Sequence, residues 1–440
     1  MKVADTRRGW RGALRTLTVR ATLPTSVRPG GFRGSLTRRL RPRYDCAAGT
    51  RGPALASAWR AGLSRHGSLD PGGTMKSMLR IASPLVIPLL TFLACSEPTR
   101  PRAPSRARAD AATAASPSYT ITDLGTLGGT GAEALAINDA GQVVGSSQTA
   151  KGEQHAFLWM ATSGMTDLGT LGGTFSRAFA INQAGHVAGM SALPSGERRP
   201  FLWTPSDGMK DLGTFGGTSG RARGINDLDQ VVGSSRLPDG SFHAFLWSAA
   251  QGLTDLAPLV GNNSEANRIN NRQQVVGGNS IQCLPTVTIA FLWSAREGFR
   301  DLGALGHTDP CGGAIARAVN ELDQAVGLSE TDAFVNDAFV IHAFRWTATT
   351  GMVDIGTLFG PSGSSEATAV NERGRIAGLS ITPDGTIQHA FVWDEPTGMH
   401  DLGTFPGDAQ SEAHGINSRG QIAGISIGGY SRAVLWTPTP

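Results

Sequence analysis

The chain is poor in cysteine and in charge. Four cysteines in 440 residues, at 46, 95, 283 and 311, are too few for a disulfide-built scaffold. Charged residues make up only 17% while glycine reaches 58, a balance that favours turn-rich all-β structure over helices. The apolar stretch from Ile81 to Ala94 is too short to cross a bilayer as a helix. No recognisable catalytic motif is present. The Gly-Gly-Thr loops at 128–130, 172–174 and 216–218 are weak as phosphate cradles, because no lysine follows them and no helix begins there. No EF-hand spacing occurs, and calcium stays unassigned at acidic loops such as Asn226-Asp227-Leu228-Asp229. The sequence therefore points to no catalytic residue, cofactor or metal.

Basic residues are missing from most of the chain. The net charge of +4 hides a division: residues 1–94 carry 17 Lys and Arg against 3 Asp and Glu, which leaves 39 − 17 = 22 basic and 35 − 3 = 32 acidic residues after them. An acidic body argues against nucleic-acid binding, which needs a basic face. Residues 1–74 are rich in Arg, Gly, Ser and Pro without periodicity, and read as a disordered, non-native extension upstream of a start at Met75 or Met78. Lys76 and Arg80 then precede the apolar stretch, as in a signal peptide over 75–94. Phe92-Leu93-Ala94-Cys95 resembles a bacterial lipobox, which implies acylation of Cys95. Residues 95–118, dominated by Pro, Ala, Ser and Arg, read as a disordered tether. Ser96 after the cysteine resembles outer-membrane sorting, so the chain is expected outside the cytoplasm, on a lipid anchor.

What is abundant is repetition. An Asp-Leu-Gly or related element starts at Asp123, Asp167, Asp211, Asp255, Asp301, Asp354 and Asp401. A second element places Asn at 138, 182, 226, 270, 320, 371 and 417, and a third ends at Trp159, Trp203, Trp247, Trp293, Trp346, Trp393 and Trp436. The period is 44 residues at first and 43–53 later, the length of a four-stranded propeller blade. Residues 119–440 are thus expected to be an all-β, seven-bladed β-propeller. Asn-x-x-Gly supplies hairpin chemistry between the first two strands, and Asp229, Arg272-Gln273 and Asp323 replace it in three units.

The spacing separates two faces. Glycine follows each Asn at +7, and each Trp but the last at +5, so with the four strands of a blade lettered a to d in chain order the a–b and c–d connections have fixed length. Insertions fall in the b–c and d–a loops, which share the opposite face of a propeller, and variable loops on a fixed scaffold are where binding is expected. The repeat begins with a lone fourth strand at Tyr119–Leu124 and ends on a third strand at Arg432–Trp436. The N-terminal strand is therefore expected to complete the last blade, close the ring and remove open edges.

The tripeptide His-Ala-Phe at 155–157, 243–245, 342–344 and 389–391, together with DLGTLGG and INxxGQVVG, resembles the HAF-repeat extracellular proteins of bacteria over about 119–437. The resemblance implies an extracellular location and no established activity. The recurring His155, His243, His342 and His389 occupy equivalent places in different blades, too far apart for one metal ion. Each is expected to bond within its own blade, to the Asp of its Asp-Leu-Gly. The tryptophans are expected to pack between blades.

Two features break the symmetry. Cys283 and Cys311 fall in variable loops and are expected to form a disulfide. Five residues before each Asn stand Glu133, Arg177, Arg221, Glu265, Ile315, Glu366 and Glu412, at the entry to the innermost strand. These charges either ring a channel mouth that reads a polar ligand, or are solvated or paired with their neighbours. The leading functional expectation is a monomeric, lipid-anchored binding module for a polysaccharide or envelope protein. The alternatives are a polysaccharide hydrolase or lyase, with Glu330, Asp332 and Asp337 near Glu366 or His307, and an architectural envelope protein.

Overall fold

The computed structural model describes residues 117–256, 263–283, 286–306, 312–335 and 338–439, all within one unit, Pro101–Pro440. The expectations for residues 1–116, including the signal peptide, Cys95 and most of the tether, lie outside the described residues, as do His307, Cys311 and Asp337.

The described residues form 28 strands, β1–β28, grouped in antiparallel four-stranded sets. Sheet 1 runs β2 (Gly128–Ile137), β3 (Val143–Thr149), β4 (Gln154–Met160) and β5 (Gly164–Asp167) in spatial order. Sheets 2–6 repeat this plan; sheets 3 and 4 are also joined by one parallel pair, Phe242 opposite Asn263. Sheet 7 is β26 (Gln410–Ile416), β27 (Ile422–Ile427) and β28 (Ser431–Pro438), with β1 (Tyr119–Asp123) as its fourth strand. Tyr119 lies opposite Pro438 and Asp123 opposite Val434, so the first strand of the chain completes the last sheet as expected.

Burial explains the residue choice on each strand. First strands alternate, as in Ser176–Ile181, where every second residue is buried and the others remain half-buried. Second strands such as Val187–Ala192 are buried on both faces and built from small or apolar residues. In sheets 1–6 the fourth strands are four-residue edges ending on an exposed Asp, a charged border that resists further strand pairing. Where the a–b turn lacks glycine, Asp229, Gln273 and Asp323 take its left-handed conformation at φ 55°, 63° and 61°. The +7 glycine has a steric cause: a Cβ on Gly233 would lie 1.9 Å from the Arg221 carbonyl oxygen, and the equivalent clash recurs in every sheet.

The core lies between sheets rather than inside one. Seven apolar clusters each join two successive sheets; in one, Phe245 and Trp247 of sheet 3 meet Leu202 and Leu212 of sheet 2. Another sets Ala134 and Phe157 of sheet 1 against Ala423, Ala433 and Leu435 of sheet 7. The repeat tryptophans pack in or against these clusters, Trp436 with no exposed surface. A fully buried Phe contributes about 2–3 kcal/mol, and six, from Phe157 to Phe391, recur at one position of the third strand.

The Asn landmarks tie the sheets together at one end. Each Asn Nδ2 donates to the backbone carbonyl of the next Asn: 138 to 182 at 3.0 Å, 182 to 226 at 3.1 Å, 226 to 270 at 3.1 Å, 270 to 320 at 3.0 Å, 320 to 371 at 3.0 Å, and 371 to 417 at 2.9 Å. Asn417 Nδ2 in turn donates to the carbonyl of Asn138 at 3.1 Å. All seven are buried, and each bond fills a second lone pair of a carbonyl that, in six of the seven, already accepts from its own turn, as the Asn138 carbonyl does from Gly141 N–H at 3.0 Å.

The His-Asp pairs form as expected: His155–Asp167, His342–Asp354 and His389–Asp401 at 2.7 Å, and His243–Asp255 at 2.8 Å. Asp167, Asp354 and Asp401 also cap their turns, as where Asp167 Oδ1 accepts from the Gly169 N–H at 2.8 Å.

Candidate functional site

Every first strand carries a β-bulge at the same place. The pairing with the second strand skips one residue, between Ala134 and Ala136 in sheet 1 and at the equivalent step in the other six. A bulge frees its extra residue from the ladder and re-aims it. The seven bulged residues, Leu135, Phe179, Arg223, Asn267, Arg317, Thr368 and His414, all line one cavity of about 330 Å³. The first strands of all seven sheets therefore wall a single site.

Four of the six charged residues expected at its mouth, Arg177, Arg221, Glu366 and Glu412, line this cavity two positions before their bulges. Glu265 lines an adjoining recess that shares Arg221, Asn267 and Arg317 with the cavity, and Glu133 lies in another beside Tyr430. Most of these charges are paired. Arg177 contacts Glu133 at 2.7 Å, Arg221 contacts Glu265 at 2.7 Å, and Arg317 contacts Glu366 at 2.7 Å. Arg223 also bonds Glu265, so two guanidinium groups share one carboxylate. Both expected behaviours thus coexist: the charges line a pocket, and they pair with neighbours.

Two groups have less compensation. Glu412 accepts from Gln388 Nε2 at 2.6 Å, and burial, then the nearby Glu366 and Glu133, raise its pKa. His414 Nε2 lies 3.4 Å from Glu412, yet burial and the positive field of Arg177 and Arg268 hold its pKa down to about 4, so the ring is neutral at neutral pH.

Arg268 is the residue the sequence reading missed. It stands two residues before its Asn, where the other sheets have Ala136, Ala180, Gly224, Ala318, Ala369 and Gly415. The side chain reaches into the cavity and donates to the carbonyls of Asn267 at 3.1 Å and Phe179 at 3.4 Å, and to that of Arg223. These are the carbonyls of the bulged residues in sheets 2–4. Burial, then Arg223 and Arg317, lower its pKa to about 10, still far above neutral, and no carboxylate among the described residues pairs with it. Aligning the repeats shows this position as an exception. The bulged ring itself could have been found from strand alternation, since it shares a face with the expected mouth residues.

Among the described residues, the other sequence candidates do not assemble a site. Glu330 accepts from the Gly313 N–H at 3.0 Å and so braces the loop before sheet 5, while Glu366 is engaged by Arg317. In the acidic loop considered for calcium, Asp227 accepts from Gln183 N–H at 2.9 Å and Asp229 from Asn182 Nδ2 at 2.8 Å, which ties both carboxylates to sheet 2. Cys283 is disulfide-bonded; Cys311 lies outside the described residues. On the variable face, β19 (Ala325–Val335) and β20 (Ala338–Thr347) form a long hairpin that exposes Phe334 and Phe339, edge to face at 5.2 Å.

No protein-family profile matches the chain, and no curated protein matches it. Among solved structures it is similar to the β-propeller domain of the Trilobed protease from Pyrococcus furiosus, at 9% identity and TM-score 0.49, over 70% of this chain and 96% of that one. It is also similar to the BP39L lectin from Burkholderia pseudomallei, at 9% identity and TM-score 0.42, over 73% of this chain and 96% of that one. A putative TolB from Agrobacterium tumefaciens aligns at 11% identity and TM-score 0.37, over 70% of this chain and 90% of that one. At these scores neither activity nor ligand passes from them to this chain.

Proposed function

We propose that this chain is a closed seven-bladed β-propeller that works outside the cytoplasm as a ligand-binding module, held to the membrane through a lipid on Cys95. Closure is supported by the Asn belt that returns from Asn417 to Asn138, by β1 in the last sheet, and by the core cluster joining the first and last sheets. Export is supported by the disulfide-bonded Cys283, since structural disulfides belong to oxidising compartments. Pairing with Cys311, membership among HAF-repeat proteins and a monomeric state are parts of the same proposal.

The observation that carries the binding reading is the cavity. Seven first strands reach it, six of them with charged or polar side chains, and a recess lined by further strand residues adjoins it. Its volume lies at the lower end of the about 300–1,000 Å³ usual for small-molecule sites, which suits a sugar unit or a peptide side chain. A fold that needed only closure could fill this space with apolar residues, as the clusters between sheets do.

A glycan-array screen of the purified full chain tests the reading. Selective binding, weakened at least tenfold by Arg177→Ala or Arg221→Ala in protein of unchanged circular dichroism, is the expected result. Binding unaffected by these changes moves the site to the exposed hairpin, and no binding to any glycan or envelope extract sinks the module.

The hydrolase or lyase reading keeps one specific support. Glu412, its pKa raised by burial and two neighbouring carboxylates, has the character required of a general acid. Glu412→Gln abolishing the release of reducing ends from a bound polysaccharide would favour it over simple binding.

A further inference from the structure

We propose that the wall of the cavity formed by Arg223, Arg268 and Arg317 binds a small organic carboxylate that also carries hydroxyl groups, the chemistry of an acidic sugar. This names the ligand class for the cavity read above as a binding site, and rests on that reading.

The charge balance is the first argument. On the arc of sheets 3–5, four guanidinium groups, of Arg221, Arg223, Arg268 and Arg317, face two carboxylates, those of Glu265 and Glu366. The excess is two positive charges beside a cavity. The remaining acidic groups do not cancel it: Glu133 is engaged by Arg177, and Glu412, held by Gln388 and His414 in sheets 6 and 7, offsets at most one of the two charges. The field of the arc is felt across the cavity, since Arg268 helps hold the His414 ring neutral. Like charges held together in a partly desolvated site raise one another's energy, and an anion placed among them relieves that cost.

Unused hydrogen-bonding capacity is the second argument. Arg268 has five N–H donors, three of which satisfy the carbonyls of Arg223, Asn267 and Phe179; two remain for a ligand. Asn267 is 4% exposed, and its Nδ2 donates to the Ala316 carbonyl at 2.8 Å, which fixes the orientation of the amide. Its Oδ1, buried against the cavity, has no partner. A buried acceptor without a donor costs about 1–3 kcal/mol, and a ligand hydroxyl would supply the donor. Guanidinium donors for a carboxylate, next to an amide acceptor for a hydroxyl, match a hydroxy-carboxylate better than a bare anion. The ring of Phe179, with Arg177 at 5.3 Å and Arg223 at 5.6 Å over it, adds an apolar side chain to the cavity lining.

The test is isothermal titration of the full chain with D-glucuronate, D-glucose and inorganic phosphate at low and high salt. Glucuronate is expected to bind at least tenfold more tightly than either comparison ligand, and to weaken with salt. Arg268→Met should lose at least tenfold of that affinity, whereas Glu412→Gln, which removes an opposing charge, should retain or strengthen it. Arg317→Met serves as a second probe of the same wall should Arg268→Met fail to fold. Equal binding of glucose, or full affinity in either arginine variant, overturns the proposal. Equal binding of phosphate overturns the part assigned to Asn267. Neutral glycans bound through Arg177 and Arg221 with no glucuronate affinity would leave the binding module standing and remove only its ligand class.

Discussion

Asn226 and Asn417 make a matched pair that tests ring closure. Asn226 Nδ2 donates to Gln230 Oε1 at 2.9 Å and to the Asn270 carbonyl at 3.1 Å, and its Oδ1 accepts from the N–H groups of Leu228 at 3.1 Å and Gln230 at 2.9 Å. Asn417 makes the same set, to Gln421 Oε1 at 3.0 Å and the Asn138 carbonyl at 3.1 Å, and from Arg419 and Gln421 N–H at 3.1 Å and 2.9 Å. The two residues are 4% and 3% exposed. Only the sequence separation of the acceptor differs, 44 residues against 279. Replacement by Ala removes four bonds and leaves the facing carbonyl only the bond from its own turn, Gln273 N–H to Asn270 or Gly141 N–H to Asn138. At about 1 kcal/mol per bond, with partial recovery by water at the half-buried partners, the cost is about 3 kcal/mol at either position. Urea unfolding followed by tryptophan fluorescence should give equal shifts in midpoint for Asn226→Ala and Asn417→Ala. If the last sheet did not meet the first, Asn417 would keep only its local turn bonds, and its replacement would cost about 1 kcal/mol, as at an exposed cap. A shift at Asn417 less than half that at Asn226 would refute closure.

Further outcomes follow from the same geometry. His414, held down to about 4 from an ordinary 6.5, binds fewer protons folded than unfolded between those values; its contribution is intact above about pH 6.5 and is lost as pH falls towards 4. At 1.36 kcal/mol per pH unit the loss approaches about 3 kcal/mol, and the difference between the parent chain and His414→Gln in unfolding titrations isolates it from Glu412, whose raised pKa acts in the opposite sense. His342 is shifted the other way, chiefly by its bond to Asp354, so its stabilisation is full below about pH 6.5 and fades above its folded-state value. His342→Asn should accordingly cost more at pH 6 than at pH 9, by about 1 kcal/mol given the half-exposed Asp354. Gly233→Ala places a methyl group 1.9 Å from a backbone oxygen that cannot move without breaking the bulge; a loss of more than about 3 kcal/mol in urea, or no folded protein, is expected. Reduction of the Cys283 disulfide should lower the melting temperature, with a loss of about 2–4 kcal/mol; an unchanged melting curve would show that the bond does not brace the loops.

Residue spacing made much of the scaffold legible because each landmark performs one local task. Asn and Trp recur at fixed offsets since one joins sheets by hydrogen bonds and the other packs between them, and neither tolerates a shift of register. The absence of glycine from three a–b turns pointed to Asp229, Arg272-Gln273 and Asp323, and among the described residues Asp229, Gln273 and Asp323 are the non-glycine residues at positive φ. The bulge was not legible in the same way. It leaves no turn residue and no change of period; its one trace is the +7 glycine, whose cause appears only when the carbonyl opposite is placed within 2 Å of the missing Cβ. Four of the six expected mouth residues line the cavity, but whether they pair depends on which long side chains reach across to a neighbouring sheet, and spacing along one strand does not contain that distance.

The repeat also indicates where function should be sought. A residue present in all seven units serves an interface that all seven units share, so repetition marks scaffold. At the first-strand position two residues before the Asn, six units have Ala or Gly, which lets neighbouring first strands approach closely; a Cβ on Gly224 would lie 2.9 Å from Arg268 Cα. Sheet 4 alone places an arginine there, and the guanidinium pays a desolvation cost with no carboxylate to offset it. Were Arg268 needed only to satisfy bulge carbonyls, the carbonyls of the remaining bulges would call for similar partners, and the cavity would hold an arginine in more than one sheet at this position. A single charged exception, aimed into a cavity that also contains an unpartnered amide oxygen, is better accounted for by something that enters the cavity than by the scaffold around it.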